Sequence, residues 1–317
     1  VAPGDGCWSI SEAFGITQTR IEEVNKKTWG WAGCAALQPK QVICISSGSP
    51  PFPPEEPGTM CGPQVPGTTK PTDDTPWTEL NQCPLKACCS NWGFCGTTAE
   101  FCTPPPAGSA NGCISNCGAG IVNNDSPPST FRKVGYFEGW NRDRPCLHMN
   151  ARQIDTTAVT HVHFAFVTLN ADFGISIDDK MKTQWQQFRE LGSSTRKIAS
   201  FGGWAFSTEP ATLNRFRDAT KAENRLKFAE NCIAFLKSEG LDGLDFDWEY
   251  PGAPDIPGVP PGTKEHADNY LEFLKLVRER LPAGKELSIA IPASFWYLKP
   301  YPVEEIAKVV DYFVYMT

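Results

Sequence analysis

Acid chemistry is concentrated in one stretch, Leu241-Asp-Gly-Leu-Asp-Phe-Asp-Trp-Glu-Tyr-Pro251. Side chains two apart on a strand share a face, so Asp245, Asp247 and Glu249 project together while Phe246 and Trp248 point the other way. Neighbouring carboxyls a few ångströms apart cannot all ionise cheaply, so the row is expected to share protons and to raise the pKa of at least one member. A carboxyl that keeps its proton near neutral pH is what a general acid requires. Leu244, Phe246 and Trp248 mark a buried central strand rather than a solvated acidic one. A hard-cation site is the rival use of such acids, but neither a DxDxDG loop nor a phosphate-cradling glycine loop accompanies them, and no metal or cofactor is expected. Asp242 has the opposite parity and is assigned a structural role.

Such a strand needs neighbours to hold it. From Phe131 onward, strand candidates Lys133 to Phe137, His161 to Thr168, Lys197 to Phe201, Gly243 to Trp248, Leu287 to Pro292 and Tyr312 to Met316 alternate with helix-period segments. The helical segments are Lys180 to Leu191, Ala222 to Ser238, His266 to Leu281 and Val303 to Val309. In the second, Leu226, Ala229, Ile233 and Leu236 recur at helical spacing and Gly240 follows as a stop signal. Repeated β then α implies an α/β fold with parallel strands and helical crossovers. The count favours a (β/α)8 TIM barrel with about six strands present, since a closed one takes about 250 residues. In a barrel the acidic face is the interior, with Glu249 nearest the carboxyl end, where active sites are built. His161 and His163 share a strand face, but without a third ligand they are read as core histidines rather than a metal pair.

The chain has 317 residues, 40% hydrophobic and 21% charged, the composition of a folded protein rather than a disordered one. With 29 basic against 36 acidic residues and a net charge of −7, nucleic acid is excluded as a partner, because that affinity rests on Lys and Arg neutralising phosphates. No window approaches the roughly 18 apolar residues of a bilayer span, so no membrane partner is expected. Of the 13 cysteines, all but Cys146 and Cys232 lie between Cys7 and Cys117, a density that fits disulfide-stapled modules matured in a secretory compartment. The odd total means that either one cysteine is free or its mate lies outside the chain. The sequence opens Val-Ala-Pro-Gly-Asp, without a charged and then apolar leader, and is read as a processed or truncated secreted protein, extracellular or in a cell wall.

Composition divides the chain into blocks. Residues 1–49 carry two amphipathic pieces, Ser9 to Phe14 and Thr19 to Asn25, parted by Gly15 and followed by the apolar run Gln41 to Ile45. Residues 50–60 are a stiff proline-rich linker. Residues 61–117 hold eight cysteines and almost no aliphatic residues, a disulfide knot, with 105 connectivities open on sequence alone. Residues 118–130 form a second linker with the glycosylation sequon Asn124-Asp-Ser126, and 131–317 form the barrel.

Asp242-Gly-Leu-Asp245-Phe-Asp247-Trp-Glu249 resembles the DxxDxDxE signature of glycoside hydrolase family 18, the chitinases and their relatives. Ser200-Phe-Gly202-Gly203 resembles that family's SxGG motif. Gly135-Tyr136-Phe137, Phe164-Ala-Phe166 and Tyr315-Met316-Thr317 fall in the family's order, and the likeness covers 131–317. The resemblance implies a retaining, substrate-assisted mechanism in place of the usual pair of acting carboxylates. Glu249 would protonate the leaving oxygen. Asp247 would hold the substrate's N-acetyl group while its carbonyl oxygen attacks the anomeric carbon, and Asp245 would receive the other end of the Asp247 swing. By the same likeness Tyr136 and Ser200 would hydrogen-bond the inner carboxylate, and Gly202, Gly203, Trp204, Tyr250 and Met316 would border the substrate. The family's sixth-strand motif continues to a Tyr and an Asp, and a Trp follows on the eighth strand; the sequence stops before all three. The chain is therefore expected to be truncated at both ends and, as it stands, to hydrolyse nothing.

Cys83-x4-Cys88-Cys89-Ser90-Asn-Trp92-Gly-Phe94-Cys95-Gly-x5-Cys102, with Cys61 before and Cys113-x3-Cys117 after, resembles the hevein-type chitin-binding domain. The likeness implies the pairs Cys61–Cys89, Cys83–Cys95, Cys88–Cys102 and Cys113–Cys117, and sugar stacking at Ser90, Trp92, Phe94 and Phe101. Residues 1–49 resemble a LysM module, a βααβ unit that binds N-acetylglucosamine chains, through Gly4-Asp-Gly-Cys7, Gly15-Ile16, Asn25, Cys34, Leu37 and Gln41 to Ile45. Lys26 stands where a proline is common and Lys40 where a glycine is usual. The module order resembles secreted chitinases of filamentous fungi and killer-toxin chitinase subunits, and the expected partners are chitin and N-acetylglucosamine oligomers. A non-hydrolytic chitin lectin would lose the acid, whereas Glu249 is present. A wall-targeting subunit is compatible with every residue, and an endo-β-N-acetylglucosaminidase is disfavoured by the two chitin modules.

Overall fold

Few aliphatic side chains are available before residue 118, so short helices, turns and bridges shape that part of the molecule, while long apolar strands shape the rest. The computed structural model describes residues 1–317 except 106–111, 119, 121–124 and 129. Asn124 of the sequon and part of the second linker lie outside the described residues. Contacts group the chain into two units, Val1–Ser126 and Pro127–Thr317.

In the first unit, α1 (Cys7–Phe14) ends on Gly15, whose φ of 62° is left-handed and which therefore suits a residue without Cβ. Helix α2 (Gln18–Asn25) starts on Thr17, whose hydroxyl accepts from the Arg20 N–H at 3.0 Å. Cys7, Ile10, Ile21 and Trp31 form a small core, closed by the Cys7–Cys34 bridge. The βααβ expectation is corrected here, because neither flanking strand forms among the described residues. The 41–45 run is held instead by a side chain. Asn25, fully buried, accepts from the Cys44 N–H and donates to the Cys44 carbonyl, each at 2.7 Å, standing in for a ladder. Lys40 adopts φ 69°, which accounts for the glycine usual at that point.

The knot is a small antiparallel sheet in which β1 (Cys88–Ser90) pairs with β2 (Cys95–Gly96) and β3 (Cys113–Ser115), with α3 (Ala99–Cys102) beside it. Its bridges are Cys61–Cys89, Cys83–Cys95, Cys88–Cys102 and Cys113–Cys117. Cys44, Cys146 and Cys232 are free thiols, so three cysteines are unpaired among the described residues rather than one. The proline-rich 50–60 segment is no free spacer. The Glu56 N–H donates to the Gln64 carbonyl at 2.8 Å, and the Phe52 ring meets Trp77 edge-on at 5.2 Å.

The second unit is a curled sheet of six parallel strands: β4 (Val134–Glu138), β5 (His161–Leu169), β7 (Arg196–Gly202), β8 (Gly243–Asp247), β9 (Glu286–Pro292) and β10 (Tyr312–Met316). Each pairs with the next in chain order, and a short β6 (Ile175–Ser176) turns back antiparallel on β5. Helices α4 (Lys182–Arg189), α5 (Trp204–Thr208), α6 (Arg215–Ala219), α7 (Arg225–Glu239), α8 (Lys264–Arg280), α9 (Phe295–Leu298) and α10 (Val303–Ala307) make or decorate the crossovers. The curl is visible in one contact: Tyr312 on β10 places its hydroxyl 2.8 Å from Nε2 of His163 on β5, across the intervening strands. This is the incomplete barrel expected from the strand count.

Between sheet and helices lies an aromatic core including Phe164, Phe188, Phe201, Phe228, Phe246 and Phe273. Helix α7 starts later than its periodicity suggested and buries Phe228, Ala229, Cys232, Ile233 and Leu236. Leu226 is 44% exposed, because Phe228 takes the inward place in the first turn. Among the described residues no helix is long and apolar enough to cross a membrane. Phe228 is fully buried and stacks on Phe273 at 4.4 Å. Phe228→Ala is expected to lower the stability of this unit by about 3–5 kcal/mol, read as a shift in its urea-unfolding midpoint with an unchanged slope.

Candidate active site

Strand β8 is buried along its whole length, and strand register sets what surrounds its acids. Ser200 of β7 and Ser288 of β9 lie directly opposite Asp245, so the three side chains form one layer inside the curl. The Tyr136 hydroxyl donates to Asp245 Oδ2 at 2.8 Å, Ser200 donates to the same oxygen at 2.7 Å, and Ser288 donates to Oδ1 at 2.7 Å. His163 Nδ1 stands 3.2 Å from Oδ2. Burial alone would push the Asp245 carboxyl up. The facing His163 imidazole and the serine hydrogen bonds overcome it and hold the group below the usual carboxylate range.

Asp247 is in the opposite condition. Burial, then the charges of Glu249 and Asp245, push its carboxyl up to about 8. Its Oδ1 is buried with no hydrogen-bond partner among the described residues. Glu249 is also pushed up by burial, tempered by a hydrogen bond with Tyr250. The Glu249 backbone N–H donates to Ser207 Oγ of α5 at 3.0 Å. At neutral pH the row thus reads ionised, protonated, then half-buried and tunable, moving from the interior outward.

Gly202 and Gly203 have φ of 112° and 86°. A Cβ on Gly202 would collide with the Asp247 carbonyl oxygen and one on Gly203 with the Phe166 ring, while the Gly203 N–H donates to that same Asp247 oxygen at 2.8 Å. Both glycines therefore act through the backbone, fixing the end of β8. Trp204 opens α5, is 52% exposed, and meets Tyr250 edge-on at 6.4 Å; Tyr250 in turn stacks on Tyr297 at 5.2 Å. These rings follow the carboxyl ends of β7, β8 and β9 and form an aromatic rim. Met316 ends β10, and its carbonyl accepts from the Ala293 N–H at 2.9 Å.

Ser288, Tyr297 and Trp140 escaped the sequence reading, and His163, read there as a core histidine, is buried beside Asp245. Trp140 follows β4, is 41% exposed and stacks on Phe166 at 5.8 Å. The two histidines that share a face on β5 part company in space. His161 Nε2 lies 2.7 Å from Glu286 Oε2, whereas His163 sits under Asp245. Parity put both inside the curl, but only register gave one of them a carboxylate. The sole group of described residues with metal-ligand spacing, Cys61, Cys83 and Cys95, is consumed by bridges.

In the first unit, Trp92 is 61% and Phe94 45% exposed. Ser90 is buried and its hydroxyl accepts from the Phe94 N–H at 3.3 Å, so it shapes the loop that presents those rings. Phe101 leans on the buried Cys88, Cys102 and Cys113, half-covered.

The raised Asp247 pKa carries a linkage consequence. The unfolded chain sheds this proton near pH 4, whereas the folded protein keeps it to about pH 8, so the unfolded state binds fewer protons between those values. Stability is then lost as pH rises through that window, by up to about 1.4 kcal/mol per pH unit from this group. Asp247→Asn is expected to flatten the fall in unfolding midpoint between pH 5 and 7.5 relative to the parent chain. Parallel curves for the two proteins would contradict a protonated Asp247.

Comparison with known proteins agrees with this geometry. The chain matches the family model for glycosyl hydrolases family 18 over residues 132–317, that for chitin recognition protein over 77–117, and that for the LysM domain over 1–46. It is 48% identical over 325 residues to the secreted chitinase LysM12 of Penicillium expansum, covering 100% of this chain and 22% of that protein. It is 44% identical over 324 residues to killer toxin subunits alpha/beta of Kluyveromyces lactis, covering 100% of this chain and 27% of the other. The chain thus spans roughly a quarter of the length of these relatives. Among solved structures, catalytic domain 2 of the Ostrinia furnacalis Group II chitinase superposes with a TM-score of 0.54 at 26% identity, over 59% of this chain and 50% of that one. With a family model that matches residues 132–317, more than half its length, the chain belongs to glycosyl hydrolases family 18.

Proposed function

We propose that the protein to which these residues belong hydrolyses internal β-1,4 bonds of chitin with retention of configuration, and that two small modules hold it on the polymer. The observation that carries this reading is the arrangement of the β8 acids: Asp245 accepts from Tyr136, Ser200 and Ser288, which favours its anion, while Asp247 beside it is buried with one oxygen unpartnered among the described residues, which favours its acid form. Glu249 gives its proton to the leaving glycosidic oxygen as that bond breaks. The carbonyl oxygen of the substrate's N-acetyl group forms the new bond to the anomeric carbon, held by Asp247, and Glu249 as carboxylate then takes a proton from the water that opens the cyclic intermediate. No side chain needs to be the nucleophile, so only N-acetylated sugars qualify. Trp204, Tyr250 and Tyr297 supply apolar faces on which sugar rings can pack. Similarity to proteins named as chitinases supports the substrate, and similarity to one named as secreted, with five disulfide bridges, supports an extracellular or cell-wall location.

The 44% identity to killer toxin subunits favours a second reading, in which the same modules bring a partner to a chitin-bearing wall. Product release separates the two. In a polypeptide that continues these residues through the remaining βα units of an eightfold barrel, cleavage of N-acetylglucosamine oligomers is expected, and Glu249→Gln should reduce kcat by roughly 10²-fold or more. Equal turnover of parent and variant would remove Glu249 from the acid role. In the present chain, Trp92→Ala is expected to weaken retention on solid chitin, measured by depletion from solution, and unchanged retention would mean that this face binds nothing.

A further inference from the structure

The exposed rings of the knot border a concavity rather than a flat surface. Trp92 and Phe94 line one side of a concavity of about 790 Å³ whose other walls are residues 28–42 of the LysM-type module and the prolines at 51, 53, 54 and 57. Hydrogen bonds fix this arrangement. The Trp29 indole N–H donates to Gln64 Oε1 at 3.1 Å, Gln64 Nε2 donates to the Pro54 carbonyl at 3.2 Å, and the Met60 N–H donates to the Gly93 carbonyl at 2.6 Å. The two modules and the segment between them therefore share one wall system. Gly4 to Cys7, the stretch that carries part of the LysM likeness, is not part of the lining.

We propose that this concavity is a single composite groove for one N-acetylglucosamine oligomer, with the hevein-type rings at one side and the 28–42 segment at the other. The inference rests on the chitin-binding reading and gives it a site that neither module has alone. Three observations favour this occupant. Large apolar side chains that stay exposed in one concavity, Trp92, Phe94 and Val42, suit the C–H faces of sugar rings. The amides of Gln38, Gln41 and Gln64 border the same space; each is held by internal hydrogen bonds, and an amide has a second N–H and a second oxygen lone pair with which to meet the hydroxyls and acetamides of a neutral polymer. The volume falls inside the range of about 300–1,000 Å³ typical of small-molecule sites. A ligand engaging both walls gains from the second contact without a second association cost, so affinity should climb with oligomer length.

The test uses the whole chain in a Glu249→Gln background, so that no oligomer is cleaved, with the N-acetylglucosamine trimer and hexamer as probes. Val42 is 40% exposed and on the LysM side, so Val42→Glu alters the wall with little effect on folding. The expected result is a hexamer Kd raised about 2- to 10-fold with the trimer Kd nearly unchanged, together with nuclear Overhauser contacts in the unsubstituted protein between the Val42 methyls and sugar acetyl groups. Trp92→Ala should weaken both oligomers. If Trp92→Ala weakens binding while Val42→Glu does not and Val42 shows no contact to sugar, the composite groove is refuted and the simple hevein-type surface stands. If Trp92→Ala has no effect either, both the groove and the chitin-targeting reading fall.

Discussion

A single buried carboxylate organises the catalytic unit. Asp245 has no exposed surface, and an ionised acid in that position is costly unless polar groups meet its oxygens. Tyr136, His163, Ser200 and Ser288 meet them, and each comes from a different strand. The requirement reaches far beyond the site, because those four side chains converge only if β4, β5, β7, β8 and β9 curl in a fixed register. The neighbouring Asp247 keeps its proton chiefly because it is buried, with the charges of Glu249 and then Asp245 adding to the effect.

That division of charge follows from position along one strand. Asp245, Asp247 and Glu249 are chemically similar and separated by two residues each, yet they occupy three environments as the chain runs along β8 and past its end at Asp247. Donors surround the first, the second has an oxygen with no partner, and the third is half open beside Tyr250. Gly202 and Gly203 secure the arrangement from behind: the missing side chain of Gly202 lets β7 close on the Asp247 carbonyl, and that of Gly203 leaves room for the Phe166 ring while its N–H donates to the same carbonyl. Both glycines meet the end of β8 through their backbone.

The first unit solves a different problem. It has aliphatic residues for only a small core, so bridges fix the knot and a buried asparagine does the work of a β-ladder in the LysM-type module. The proline-rich segment, free of secondary structure, packs against both and leaves aromatic rings facing a shared hollow. Module boundaries drawn from composition are sound as composition but say little about contact.

Alternation and parity were legible in the chain by itself. The six parallel strands, the inward face of Asp245, the stop at Gly240 and the disulfide-rich block all follow from local pattern, because strand period, helix period and cysteine spacing are properties of adjacent residues. What lies across a strand is not such a property. Whether His163 or His161 would face the acid, whether Leu226 or Phe228 would turn inward, and whether residues 50–60 would separate the modules or join them depended on register, helix rotation and packing. Those are set by residues distant in sequence, and only the folded chain brings them within a few ångströms of one another.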